Sequence, residues 1–337
     1  MYLGWTQVAG ASELRDDVLA VDVGDRALVA VRRVNGYVVH DGRCPHRGAH
    51  LGHGGRLDGD VLVCPFHGHR VRLVDPPTAE LPPRDPVHAD SDSAGVAAPA
   101  QPFCVRSYPT LQSAAGLFVL LGARHDTGLE HRLTELDRTH HVHEAFQRDL
   151  AVPPEYVVEN VFDADHFAEV HALSRRPRLT TAEQPDGSLL VEGQLDMVRP
   201  NQWQAGPSGA GASEADAPDA GAPGAGASAG FRAQVFSPTV VVTELRAGAD
   251  SNVVVTAATP TPDGGCRARV TVALPRRSAG GPPSVRQLSS LISGSRTAFE
   301  QDAGVWEHLD TTVTPHYLPG DRLVQVYRRF CERFLRP

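Results

Sequence analysis

The sequence predicts an α+β chain of two domains, an all-β domain followed by one in which a run of strands leads into long helices. Three observations predict this. The 337 residues exceed one domain at roughly 100–200 residues each. Short alternating strands with turn signals fill the first third. Strands followed by helices fill the end, the pattern of segregated layers.

Residues 18–39 read as short strands, with Asn35-Gly36 supplying a φ > 0 turn between residues 27–34 and 37–40. Residues 75–101 are rich in Pro, Asp and Ala without an apolar period, as expected of a surface excursion. GLFVLLG, Gly116 to Gly122, reads as a buried strand that closes the first domain, so the domains are expected at 1–124 and 125–337. Residues 125–148 are polar and His-rich, as a connector would be. His140, His141 and His143 have no Cys or carboxylate at ligand spacing and are expected in a solvated loop. From Tyr156 the pattern predicts a strand-like start, a helical stretch over 162–173, and strands near 189–198, 231–236, 240–245, 253–259 and 268–274. Helices follow over 285–309 and 321–335. Residues 205–230 (AGPSGAGASEADAPDAGAPGAGASAG) offer little to bury and are expected as a disordered insertion, a loop expansion rather than a substrate lid.

A net charge of −8 and pI near 6.0 exclude a phosphate-tracking basic face, so no nucleic-acid partner is expected. The opening MYLGWTQVAGASELRDD lacks a basic region followed by an apolar run, and no stretch reaches 18 apolar residues. A cytoplasmic protein without a membrane partner is expected. Five cysteines do not make a disulfide framework here. Cys104, Cys266 and Cys331 are expected as small core residues.

The strongest signal is Cys44-Pro45-His46 followed after seventeen residues by Cys64-Pro65-Phe66-His67. A Rieske-type 2Fe-2S centre needs two thiolates on one iron and two neutral imidazoles on the other, and two loops giving one Cys and one His each supply them. The prolines stiffen the loops, and Gly48 and Gly68 allow close backbone approach. A Cys2His2 zinc site is the competing reading, but such sites pair like ligands within each knuckle. His50, His53 and His69 lie in the same loops and are expected as hydrogen-bonding or surface groups.

These residues, from Gly4-Trp5 through GLFVLLG, resemble the Rieske domain of the Rieske non-heme iron oxygenases. His69 departs from the family pattern, which commonly has Trp after the His-Gly pair.

Residues 159–171 contain D-x2-H-x4-H, ending in Asp163, His166 and His171. Two imidazoles and one carboxylate form the facial triad that leaves positions on Fe(II) open for dioxygen and substrate. The segment resembles the family's mononuclear-iron motif, which implies His166 and His171 as ligands. FEQDAGVWE, Phe299 to Glu307, resembles the family's late helix and implies Asp302 as the third. Helical geometry alone leaves Glu300 and Glu307 open. An i, i+5 pair diverges by about 140° on a regular helix, so a π-bulge or break is expected between the histidines.

Asp163 stands three residues before His166. A carboxylate there can accept the ring N–H of a metal-bound histidine; the alternative is a helix N-terminal Asp favouring the dipole. The resemblance implies that Asp163 joins His166 to His67 of a neighbouring subunit within a head-to-tail homotrimer. It also implies a helix-grip, START-like catalytic domain with an antiparallel sheet, and cofactors of one 2Fe-2S cluster and one Fe(II). Electrons would come from a separate NAD(P)H reductase, with or without a ferredoxin, since the chain has no GxGxxG or flavin motif. The implied activity is that of a terminal oxygenase that hydroxylates, desaturates or cyclises a mainly apolar small molecule, nearest to the monooxygenases of steroid and natural-product pathways. The rival readings are an electron-transfer protein with a partner-docking second domain and a zinc hydrolase.

Overall fold

The computed structural model describes residues 2–74, 103–196, 228–247, 250–276 and 281–335. The surface excursion expected at 75–101 and most of the insertion expected at 205–230 lie outside the described residues. In chain order the strands are β1 (Trp5–Ala9), β2 (Val18–Ala20), β3 (Leu28–Arg33), β4 (Gly36–Asp41), β5 (Arg56–Asp58), β6 (Val61–Val63), β7 (Arg70–Val74), β8 (Cys104–Tyr108), β9 (Thr110–Ser113) and β10 (Gly116–Leu120). Helix α1 (Leu129–Thr139) and β11 (His140–Leu150) follow, then α2 (Pro154–Glu159) and α3 (Ala164–Glu169). The remaining strands are β12 (Leu179–Glu183), β13 (Leu189–Asp196), β14 (Ser228–Ser237), β15 (Val240–Ala247), β16 (Asp250–Pro260) and β17 (Cys266–Pro275), before α4 (Val285–Trp306) and α5 (Arg322–Glu332).

The chain packs as two units, Arg15–Thr110 and a larger one made of Met1–Leu14 with Leu111–Pro337. A boundary at 124 therefore falls inside the larger unit. The reason is that β1 pairs antiparallel with β10, and Trp5, Phe118 and Leu120 bury against Phe236 and Val240 of the larger unit's sheet.

The smaller unit is one seven-stranded sheet in the order β2-β3-β4-β8-β7-β6-β5, antiparallel except for the β7–β8 pair. The expected β3–β4 hairpin is present, but only Gly36 takes a positive φ, at 116°, and Asn35 does not. Cys104 is exposed, not a core residue, because it starts the outward register of β8.

The larger unit is built on the seven-stranded antiparallel sheet β11-β17-β16-β15-β14-β13-β12. One face carries α1 and the small sheet β1-β10-β9. The other carries α2, α3, α4 and α5. The expected connector over 125–148 is instead α1 and β11. Leu129, Leu133 and Leu136, at i, i+4 and i+7, are all fully buried and make an amphipathic helix of a polar segment. The histidines 140, 141 and 143 lie in β11, whose edge position tolerates polar, half-exposed residues. The strand-like start at Tyr156 is helix α2, opened by Pro154 at its first turn. Ser228 to Gly230, assigned to the insertion, belong to β14 and pair with β13. Helix α4 starts at the capping box Ser284-x-x-Gln287 and lays Phe299, Ala303 and Trp306 on β17. No described helix is long and apolar enough to cross a membrane.

Candidate metal centres

Two loops of the smaller unit adopt the same turn twice. In the first the Gly48 amide donates to the Cys44 carbonyl at 2.9 Å and the Cys44 amide to the Ala49 carbonyl at 2.8 Å. In the second the Gly68 amide donates to the Cys64 carbonyl at 3.0 Å and the Cys64 amide to the His69 carbonyl at 2.9 Å. Both glycines take left-handed φ, 75° and 69°, which closes such a turn without a Cβ penalty. The cysteines are free, only 2% exposed, and held by Leu51, Leu62, Val71 and Val105. Burial raises the Cys44 thiol, opposed by the His46 and Arg47 amides that bond its sulfur and reinforced by Cys64 beside it. Exposed His46 and His67 rings stand edge to face with centroids 4.8 Å apart. Desolvation, then the fields of His69, His67 and Arg47, lower the His46 ring and favour its neutral, ligating form. Two buried thiols side by side with two adjacent imidazole edges are the donor set of a Rieske centre.

His50 behaves as a loop hydrogen-bonder. Its Nε2 lies 2.8 Å from Asp22 Oδ1, and its Nδ1 accepts from the Gly52 amide at 3.0 Å. His69 packs its ring on His46 at 4.4 Å and on Phe103 at 5.2 Å, filling the place where Trp is common in the family.

In the larger unit His166, His171 and Asp302 come together, with one ligand atom from each inside a 4.8 Å cluster. His166 sits in α3. The expected break is present, because α3 ends at Glu169 and His171 lies beyond it. Ala172 takes a left-handed φ of 50° there, and the Leu173 amide reaches back to the Phe167 carbonyl. The imidazole rings are 5.0 Å apart, and His171 Nε2 is 3.3 Å from Asp302 Oδ1. Glu300 and Glu307 point away, both paired with Arg148.

Burial lowers both histidines to about 4, against the Asp163 carbonyl at His166 and the Gln301 amide at His171. Burial also raises Asp302 to about 7, opposed by a hydrogen bond from the Asn160 side chain. Asp302 Oδ1 is buried without a hydrogen-bond partner among the described residues. A carboxylate that resists ionising beside imidazoles that resist protonation lacks a countercharge, and a divalent cation supplies one. The three residues therefore fit a mononuclear iron.

Two supporting residues were missed in the sequence. Gln301 Oε1 lies 3.0 Å from His171 Nδ1, leaving Nε2 aimed at Asp302, and Asn160 holds the other side of that carboxylate. Only their adjacency to the motif residues hinted at them. The expectation that the Asp163 carboxylate accepts the His166 ring is corrected. His166 Nδ1 faces the Asp163 main-chain carbonyl at 2.5 Å, while the carboxylate caps α3 by accepting from the Asp165 and His166 amides. The capping oxygen is Oδ1, which accepts both amides, so the ring is met by the main-chain carbonyl and not by the side chain.

Residues 4–89 match the family described as the Rieske [2Fe-2S] domain. Residues 129–335 match that described as the 3-ketosteroid 9alpha-hydroxylase C-terminal domain. The cholesterol 7-desaturase nvd of Xenopus laevis is 43% identical over 56 residues, 16% of this chain and 12% of that protein. That of Bombyx mori is 34% identical over 87 residues, 24% of this chain and 19% of its own length, so the matched stretches span at most a fifth of these relatives. Among solved structures, the caffeine-bound QL mutant of NdmA from Pseudomonas putida CBB5 superposes with a TM-score of 0.65 at 16% identity, over 97% of this chain and 89% of that one. Dicamba monooxygenase bound to dicamba does so at 0.66 and 18%, over 98% and 96%, and both likenesses show the fold. A Rieske domain followed by a catalytic domain that takes up more than half of the chain places this protein in the Rieske non-heme iron oxygenases, enzymes with a 2Fe-2S cluster and a mononuclear iron.

Proposed function

We propose that this chain is the terminal oxygenase of a system in which a separate NAD(P)H reductase, with or without a ferredoxin, supplies electrons for the oxidation of a steroid-like molecule by dioxygen. The observation that carries this reading is the buried, charge-deficient group of His166, His171 and Asp302 in a chain with a Rieske domain. Cys44, His46, Cys64 and His67 would hold the cluster. When bound, the cluster supplies single electrons and the iron supplies open positions for dioxygen and substrate. Gln301, Asn160 and the Asp163 carbonyl fix the orientation of the three ligands. On the helix-covered face of the sheet, Thr243, Leu245, Val254 and Thr256 are half-buried, whereas Val242, Val253 and Val255 on the opposite face are buried. That half-open floor of two aliphatic side chains and two threonines carries no charge and suits a substrate with few polar groups. The steroid class is supported by the family matched over 129–335 and by the desaturases' names; hydroxylation, desaturation and cyclisation are the reactions in scope.

Within a homotrimer, Asp163 would bridge His166 to the cluster histidine of the next subunit, with the carboxylate oxygen not used in capping. NAD(P)H-dependent supply goes with a cytoplasmic setting. The test is iron, sulfide and zinc per chain, with visible and EPR spectra of the reduced protein and oxygen uptake with 4-androstene-3,17-dione and cholesterol as probes. A cluster plus one further iron, with substrate-dependent uptake, is expected. A cluster without the further iron would leave an electron carrier, and zinc alone a hydrolase.

A further inference from the structure

We propose that Arg328 of α5 is a positioning residue for the mononuclear iron: by clamping Glu159, it holds the turn from which Asn160 and Asp163 orient Asp302 and His166. This rests on the metal-site reading above and extends it to a residue one step behind the ligands' partners. Two of the three contacts that orient the ligands come from one short stretch. The Asn160 side chain hydrogen-bonds Asp302, and the Asp163 carbonyl meets His166 Nδ1. Between them the backbone makes a single 3-10 turn, Asn160–Phe162, closed by the Asp163 amide donating to the Asn160 carbonyl at 3.2 Å. Hydrogen bonds in such a turn have poorer geometry than those of an α-helix, so its neighbours must hold it.

The neighbours are consecutive residues of α5. Tyr327 is fully buried and stacks on Phe162 with ring centroids 4.9 Å apart at 17°, while its hydroxyl donates to the Glu155 carbonyl at 3.1 Å. Arg328 takes the charged residues. Its Nε pairs with Glu159 Oε2, a terminal nitrogen stands 3.8 Å from Glu155 Oε1, and the guanidinium lies 4.5 Å from the centroid of the Tyr156 ring.

The side chains of Arg328 and Glu159 are only 23% and 17% exposed, so water and salt screen the pair less than they would on an open surface. Burial raises the Glu159 carboxyl, Arg328 beside it opposes that rise, and Asp163 and Glu155 add to it. Removing the cation strands these carboxylates beside one another, the costly way to break a sheltered ion pair. The turn then relaxes by moving, and the supports of Asp302 and His166 move with it.

The experiment compares wild type with Arg328→Met, Arg328→Lys and Phe334→Leu as iron-loaded holoproteins. It reads mononuclear-iron affinity by chelator competition, the EPR line shape of that iron with nitric oxide as a probe, cluster CD and Tm. Arg328→Met should weaken iron binding about ten-fold, the low end for residues behind metal ligands, and alter the line shape, with cluster CD unchanged. Arg328→Lys should fall between it and wild type, because an ammonium can meet Glu159 but lacks the fork that spans both carboxylates. Phe334 is buried beyond the end of α5 and packs on Phe330 and His125. Phe334→Leu should lower the Tm and leave both iron readouts unchanged. Wild-type iron affinity and line shape in Arg328→Met would overturn the proposal, as would an equal loss of iron in Phe334→Leu, since any loosening around α5 would then suffice. Wild-type protein that binds no iron beyond the cluster would instead overturn the metal-site reading itself, before any variant is compared.

Discussion

The two centres differ in how their ligands reach the metal. The cluster donors come from two copies of one short turn, with buried sulfurs and with imidazole edges at the surface. The mononuclear donors come from a helix, the segment beyond its end and a second helix over 130 residues later, and His171 is only 4% exposed. An electron relay needs an edge that a partner can approach, whereas a chemical centre needs dry walls and open coordination positions. The same residue type thus serves opposite ends through its burial.

The largest expected effect breaks the molecule along this division. Asp302→Ala should empty the mononuclear site and reduce turnover to background while leaving the Rieske EPR signal intact, and Cys64→Ser should do the reverse to the two metals. Glu300→Ala, which loses only an exposed contact with Arg148, should keep its iron. A reversed ranking of iron content would move the third ligand to Glu300.

Next in size is Asp163→Asn. Asparagine caps helices as well as aspartate does, so fold and both metals should persist while oxidation of the reduced cluster in the presence of substrate slows severely. Single-turnover stopped flow reads this, and a wild-type rate would remove Asp163 from the electron path.

Gln301→Leu sharpens the comparison by loosening one ligand. Loss of the bond to His171 Nδ1 should weaken iron binding by about 10- to 100-fold, measured by chelator competition, with the cluster unaffected. Unchanged affinity would mean that packing alone orients the ring.

The smallest effect is in pH. In metal-free protein Asp302 is raised from 3.8 to about 7, and His166 and His171 are lowered from 6.5 to about 4. Between about 4 and 6.5 the unfolded chain carries two histidine protons that the folded chain lacks. The folded chain carries one Asp302 proton that the unfolded chain has lost. The unfolded state therefore binds one proton more, and stability of the stripped protein rises with pH through that window. Above 6.5 only Asp302 counts, and the slope reverses until about 7. Metal binding must displace the Asp302 proton, so the Tm gap between iron-loaded and stripped protein should narrow as pH falls below 7. Paired thermal melts check this, and a gap independent of pH would mean that Asp302 is already ionised without metal.

What was legible in the sequence followed locality. Cys44, His46, Cys64 and His67 are readable because each loop supplies its ligands within four residues. His166 and His171 are readable as a spaced pair, and the break between them followed from helix geometry. Asp302 needed the family likeness, since nothing local separates it from Glu300; tertiary packing does so by sending Glu300 to Arg148. Helix α1 was missed because its polar residues outnumber its three core leucines, and β11 because an edge strand need not alternate. Of the two readings of Asp163, the contact between its carboxylate and the His166 ring did not hold and the helix N-terminal one did, because capping is decided by where the helix begins, at Ala164, a boundary the sequence leaves loose.

The paired turns at the cluster have a consequence in chirality. Gly48 and Gly68 hold left-handed torsions, yet among the described residues no atom beyond their chain neighbours stands within 4 Å of where a Cβ would project from either. The chain at those points asks for a hand rather than for room. Substitutions there should rank by tolerance of the left-handed region, asparagine ahead of alanine and alanine ahead of valine, irrespective of size.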